Sequence, residues 1–206
     1  MIIQREIRRK AFHILAGMAI PAIYYGFMLW QHATGRPYTY LAKWILLVAA
    51  AVILAIDVVR LRHQFIKIIF IDFFGPMMRR HEISELTGAT YLMLASLACV
   101  LLFADGVAIA AVSFLVIGDS LAAVVGRSVG RTKFFEKSFE GAGAGLVGCL
   151  LIGALLVNLP GTHLGYLQMA AGALTAIVVE MLPIPLDDNI RLPLASGAVM
   201  HLLFVR

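Results

Sequence analysis

The sequence predicts an all-α fold: a polytopic membrane bundle of about seven transmembrane helices, with a cytoplasmic amino terminus and one interfacial amphipathic helix at about 61–82. Three observations predict it. Of 206 residues, 61% are hydrophobic and 14% are charged, against roughly 45–50% and about 25% in soluble globular domains. Several apolar stretches reach the roughly 20 residues that a hydrocarbon core requires. The cations also collect in alternate loops, which is the pattern of a topology signal.

The apolar segments lie at about 11–30, 40–59, 87–104, 106–126, 141–159, 165–183 and 192–205. Arg5, Arg8, Arg9 and Lys10 precede the first and give it the charge of a signal peptide. Its apolar run, Ala11 to Trp30, is too long for a cleaved segment and further spans follow, so it reads as a retained helix. Between the second and third spans, Ile66 to Met78 is apolar but interrupted by Lys67 and Asp72, and it carries Gly75-Pro76. That length and pattern predict a helix lying in the membrane surface, an anchor with lipid guidance as the alternative role.

Loop by loop, the amino terminus, the 60–86 segment and the 127–140 and 184–191 loops hold fourteen of the 17 Lys and Arg residues. The other side holds Arg36, Lys43 and Arg206. The amino terminus and every charged motif are therefore expected on the cytoplasmic side, and residues 1–206 read as a single membrane-embedded domain.

Cys99 and Cys149 each lie inside an apolar segment and read as small packing residues. The net charge of +5 does not point to nucleic acid, because a continuous basic stripe interleaved with aromatics is missing. A Walker sequence, the protein-kinase motif set and a Ser–His–Asp arrangement are also absent.

The candidate chemistry starts at Asp119, an acid inside the fourth span. An ionised carboxylate there costs about 2.5–3.5 kcal/mol unless something pairs with it. Ala122, Gly126 and Gly130 follow on about the same helical face, where small residues allow close helix contact. That explains the glycines and leaves the acid unexplained; a metal ion or a loop cation would explain it. Beyond it come Arg127, Arg131, Lys133, Lys137, Ser138 and Glu140, with Gly130 and Gly141 freeing the backbone. Cations with exposed amides favour a polyphosphate, and Asp119 or Glu140 offers hard oxygen to an accompanying magnesium.

A second acidic cluster follows: Glu180, then Asp187-Asp188-Asn189 and Pro193. Paired carboxylates can hold a metal or accept a proton from a hydroxyl; helix capping is the bland alternative. At the amino end, Arg9 and His13 share a helical face, and with Lys10 they suit a phosphate or headgroup. Glu85 opens the segment Glu85-Leu86-Thr87-Gly88-Ala89-Thr90-Tyr91 and is a further site candidate, with Thr87 and Thr90 available to bond the helix itself.

Arg9-Lys10 with His13, the Glu85–Tyr91 segment, the run Gly118-Asp119 to Gly130, Lys137-Ser138-Phe139-Glu140-Gly141 and Asp187-Asp188-Asn189 with Pro193 occur here in an order that resembles the polyprenol kinase family: dolichol kinase, phytol kinase and CTP-dependent diacylglycerol kinase. The resemblance spans nearly the whole chain. It implies an integral membrane lipid kinase that moves the terminal phosphate of CTP to the hydroxyl of a lipid alcohol (polyprenol, phytol or diacylglycerol), with Mg2+ or another divalent cation. It also implies that Arg9, Lys10, Asp119 and Gly126 are the positions most sensitive to change, completed by Lys137, Glu140, Asp187 and Asp188.

Residues and resemblance together place Arg127, Lys133 and Lys137 around the nucleotide, with Gly126, Gly130, Ser138 and Asn189. Asp119 with Asp187 or Asp188 is expected on the metal. Arg9, Lys10, His13 and Glu85 face the lipid and its phosphate, and the base is one of Asp188, Asp187 and Glu140. The central block also resembles phosphatidate cytidylyltransferases, whose longer closing signature this chain lacks; a membrane transporter or scaffold is the non-enzymatic alternative.

Overall fold

A computed structural model describes the backbone of residues 2–204 and the side chains of residues 9–203. The side chains of Arg5, Arg8 and Arg206, assigned above as topology charges, lie outside the described residues. Among those described, the chain forms eight α-helices: α1 (Ile2–Thr34), α2 (Tyr38–Arg62), α3 (Gln64–Phe74), α4 (Gly88–Leu102), α5 (Asp105–Val129), α6 (Phe139–Val157), α7 (Tyr166–Met181) and α8 (Asp188–Phe204). Each of the seven apolar segments is a helix. Four of these, α1 from Arg9 onward, α2, α5 and α6, are long and apolar enough to cross a membrane, while α4 and α7 are shorter apolar helices.

Several helices run past the boundaries that hydropathy predicts. Helix α5 continues through Arg127 and Ser128 to Val129, so Arg127 belongs to a helix end and not to a loop. Helix α8 begins at Asp188, which brings Asp188, Asn189 and Arg191 into its first turns. Polar residues carry intrahelical hydrogen bonds as well as apolar ones do, so an apolar run marks a helix's greasy middle rather than its ends.

The helix expected to lie in the membrane surface is also shorter than 61–82. Residues up to Arg62 belong to α2, His63 is extended, and α3 ends at Gly75-Pro76, where the proline has no amide proton to continue the ladder. Two short 3₁₀ turns, Gly75–Met77 and His81–Ile83, complete the connection to α4. No residue of α3 is buried, and Phe65, Ile68, Phe73 and Phe74 are exposed.

Helix α5 is the centre of the bundle, buried continuously from Gly106 to Val116. Its residues there are mostly Ala, Val and Gly, so neighbours approach on all sides. A Cβ at Gly17 of α1 would stand 2.7 Å from Val116 Cγ2, and one at Gly118 would stand 2.7 Å from Cys149 Sγ of α6. Cys99 and Cys149 are both fully buried and unbridged, the packing role read from the sequence. The outer helices carry the opposite pattern: Leu15, Val48, Leu151 and Leu167 are exposed, as lipid-facing residues are.

The link from α5 to α6, read as an open loop, is a small antiparallel hairpin. Strand β1 (Lys133–Phe134) pairs with β2 (Lys137–Ser138), with Lys133 opposite Ser138 and Phe134 opposite Lys137. Ser138 then caps α6, accepting a hydrogen bond from Gly141 N at 3.1 Å. The hairpin aims the cations of this segment back over the end of α5.

Candidate active site

Asp119 is buried on α5, and the ammonium of Lys10 from α1, itself buried, donates to its Oδ2. The two residues are 109 positions apart, so the partner that the acid needs comes from the amino terminus. Lys137, delivered by β2, reaches two more acids: Glu180 Oε1 of α7 at 3.1 Å and Asp188 Oδ2 of α8 at 3.0 Å. Arg191 braces them, donating from Nε to Asp188 Oδ1 at 2.8 Å and from Nη1 to the Leu182 carbonyl at 2.6 Å.

These groups surround a polar cavity of about 600 Å³. Helix α5 and its C-cap contribute Asp119, Gly126, Arg127 and Gly130; the hairpin contributes Lys133, Lys137 and Ser138; Arg9 and Lys10 come from α1, and Glu180 and Asp188 close the far wall. Burial alone would lower the Lys137 pKa. The carboxylates Glu180, Asp188 and Asp119 outweigh burial and hold it above the usual lysine value, so the cavity keeps an ammonium at its centre.

A second cavity of about 470 Å³ opens beside the first. Its walls are mostly apolar: Phe12 of α1, Ile53 and Ile56 of α2, Phe70 and Phe74 of α3, and Met77. His13 lines it too, with a buried Nε2 that has no hydrogen-bond partner. Arg9, Lys10, Arg79 and Asp119 line both cavities, and the two spaces meet at those four side chains.

Four of the expected site residues take other places. Glu140 accepts from Thr132 N at 3.0 Å and fastens the hairpin to the start of α6, outside the cavity lining. Asp187 accepts from Asn189 N at 2.9 Å and from Asn189 Nδ2 at 2.8 Å, the capping role of the bland alternative, while its Oδ2 lies 3.8 Å from Arg79 Nη1. Asn189, expected on the nucleotide, lines the apolar cavity and not the polar one. Glu85 is exposed, and its contribution is a carbonyl that accepts from Arg60 Nη2 at 2.7 Å. Three residues earlier, Glu82 turns inward instead and accepts from Arg79 N at 2.7 Å and Gly88 N at 3.0 Å.

Gly126 and Gly130 line the polar cavity, but close packing also explains them. A Cβ on Gly126 would be 2.9 Å from Ser138 Oγ; one on Gly130 would be 2.6 Å from the same atom and would collide with the Gly126 carbonyl.

Of the acids expected on magnesium, Asp119 with Asp187 or Asp188, the polar cavity is lined by Asp119 and Asp188 and not by Asp187. Among the described residues, no group of three or more His, Cys, Asp or Glu side chains is placed to hold a metal. Magnesium usually takes one or two carboxylates and completes its shell with phosphates and water. Glu180 and Asp188 fit that need, because both face the cavity and Glu180 Oε2 is buried with no partner.

The chain aligns over almost its whole length with lipid kinases. It is 29% identical over 220 residues to the probable phytol kinase 2, chloroplastic, of Glycine max, covering 98% of this chain and 67% of that protein. It is 29% identical over 221 residues to the probable phytol kinase, chloroplastic, of Triticum aestivum, covering 98% and 69%. With the CTP-dependent diacylglycerol kinase 1 of Saccharomyces cerevisiae it shares 24% identity over 223 residues, covering 97% and 74%. The chain is similar throughout to phytol kinases and to a CTP-dependent diacylglycerol kinase. No family model matches it, and no solved structure does. Two residues at its cavities carry no signal in the sequence: Arg79, counted there only as a topology charge, and Glu82, which holds the Arg79 backbone. Glu180 was grouped with the second acidic cluster but not placed on the cavity wall. Their places are set by long-range contacts that no local pattern announces.

Proposed function

We propose that the chain is a CTP-dependent lipid kinase that transfers the terminal phosphate of CTP to the hydroxyl of a membrane lipid alcohol. The observation that carries this reading is the meeting of a cation-lined polar cavity with an apolar one at Arg9, Lys10, Arg79 and Asp119. The nucleotide's phosphates occupy the first cavity against Arg127, Lys133 and Lys137. The lipid's chain occupies the second, and its hydroxyl reaches the junction. The alignment with CTP-dependent diacylglycerol kinase supports CTP as the donor.

In the reaction, the lipid hydroxyl oxygen forms a bond to the terminal phosphorus as the bond from that phosphorus to the bridging oxygen breaks, and CDP leaves. Asp119 is the one carboxylate among the four shared residues, so it is placed to accept the hydroxyl proton. Lys10, hydrogen-bonded to Asp119, holds that carboxylate in position. Glu180 and Asp188 would hold the magnesium ion with the phosphates, where it would offset phosphate charge. The surrounding fixed cations compensate the charge that spreads over the transferring group, with little reorganisation.

In this reading the seven apolar helices all cross the bilayer, the amino terminus is cytoplasmic, and residues 1–206 act as one membrane-embedded domain. The site then faces the cytoplasm, and α3 lies in the membrane surface beside the apolar cavity. The positive-inside distribution of Lys and Arg supports this orientation.

Purified protein given magnesium and a mixture of phytol, polyprenol and diacylglycerol tests the reading with CTP labelled at either phosphate end. Label from the terminal position on a lipid is the expected result. Label from the α position, with pyrophosphate released, would instead make it a cytidylyltransferase; no label from either would leave a transporter or scaffold.

A further inference from the structure

The connection between α2 and α4 contains more buried polar structure than a linker needs. Asp57, near the end of α2, is buried and accepts from Arg60 Nε at 2.5 Å, Thr87 N at 2.7 Å, Thr87 Oγ1 at 2.9 Å and Thr90 Oγ1 at 2.5 Å. Arg60 is wholly buried and extends from that pair to the Glu82 carbonyl at 3.0 Å and the Glu85 carbonyl at 2.7 Å. Glu82 in turn spans the segment, with Oε2 on Arg79 N and Oε1 on Gly88 N. Replacing a buried ion pair with apolar residues is often neutral or stabilising, so stability alone does not account for the network. What it fixes is the backbone at Arg79.

Arg79 is carried to the junction by this network. Its guanidinium lines both cavities and faces acids from separate elements: Asp187, 3.8 Å from Nη1, with Asp119, Glu82 and Asp188 near enough to act on its charge. Burial opposes that charge, and the four carboxylates together outweigh burial and hold its pKa above the usual arginine value. A planar guanidinium presents a fork of donors that matches phosphate oxygens, which an ammonium cannot.

We propose that Arg79 is a catalytic residue, its guanidinium contacting the transferring phosphoryl group where the two cavities meet, and that Asp57, Arg60 and Glu82 are the positioning residues that seat it. The proposal rests on the lipid kinase reading. Arg79 gives up no proton; it donates hydrogen bonds to the phosphoryl oxygens while the bonds to phosphorus exchange.

The test measures steady-state transfer of label from the terminal phosphate of CTP for wild type, Arg79→Ala, Arg79→Lys and Arg80→Ala, with and without added guanidinium. Arg80 is exposed beside Arg79 and lines neither cavity. Arg79→Ala is expected to lower kcat about 100-fold or more, the cost of removing a preorganised transition-state donor, with a smaller change in KM for CTP. Guanidinium restores part of that loss, whereas Arg80→Ala keeps the wild-type rate. Arg79→Lys keeps the charge without the fork and falls at least tenfold; this variant decides the matter if Arg79→Ala does not fold. Wild-type turnover in Arg79→Ala or Arg79→Lys overturns the proposal alone, as does a loss in Arg79→Ala that guanidinium cannot restore. A wild-type protein that labels no lipid removes the kinase reading, and this proposal with it.

Discussion

Two aspartates inside membrane helices, Asp57 and Asp119, are both buried and both paired with a cation, yet they differ in what surrounds them. Asp57 has Arg60 three residues away and adds the amide and hydroxyl of Thr87 and the hydroxyl of Thr90. Asp119 takes a cation from the amino-terminal helix and lies at the meeting point of two cavities. The cost of burying a charge is the same kind of cost in both places. Cost alone therefore marks an acid that needs an explanation. The explanation is structural where donors from one neighbourhood saturate the carboxylate, and chemical where the carboxylate borders space for a ligand.

Substitutions sharpen this contrast, the largest effect first. Asp119→Asn is expected to lower phosphoryl transfer by about 100- to 10,000-fold, the range for losing a positioned proton acceptor, measured as kcat on the folded variant. Asp57→Asn leaves Arg60 buried without its counter-charge and is expected to cost about 3–5 kcal/mol of stability, read from denaturant unfolding in micelles. If Asp57→Asn proved the more harmful to kcat and Asp119→Asn the more harmful to folding, the contrast would be reversed.

Lys137→Met removes the cation between Glu180 and Asp188 and should lower kcat/KM about 100-fold. The wild-type pH profile carries a matching signature. Because the folded pKa of Lys137 is raised, the stability from its charge is fully present below the unfolded value and is lost only as pH rises through the higher folded value. No Lys137 titration is expected at or below the ordinary 10.5.

Smaller effects separate packing from chemistry. Gly130→Ala presses a methyl against the Gly126 carbonyl and Ser138 Oγ, an overpacking cost of about 1–3 kcal/mol that thermal unfolding would register. Glu85→Gln alters an exposed side chain and should change stability by less than about 0.5 kcal/mol, with activity unchanged.

The helical fold was legible because long apolar runs admit little else in a bilayer, and seven of the eight described helices follow those runs. Asp119, Lys10, Arg127, Lys133, Lys137 and Asp188 were legible as site candidates because charges near a membrane helix are costly and conspicuous. The same reasoning applied to Asp57 would have marked it as equally conspicuous, and sequence cannot supply the saturation that tells the two apart. Arg79 and Glu82 were hidden for a different reason. Arg79 lies between the two 3₁₀ turns that link α3 to α4 and Glu82 lies in the second, where no regular period says which side chain faces inward. Glu180 gains its meaning from Lys137, 43 residues away, and from Asp188 beside it. Such clusters are made by tertiary packing, not by spacing.

The account depends on a lipid alcohol reaching Asp119 through the apolar cavity, and photocrosslinking tests this directly. A long-chain alcohol carrying a photoreactive group along its chain, irradiated with the protein in bilayers and mapped by mass spectrometry, should label Phe12, Ile53, Ile56 or Phe70, and excess unlabelled acceptor should abolish that labelling. Label spread over the outward faces of α6 and α7, unchanged by competitor, would contradict it.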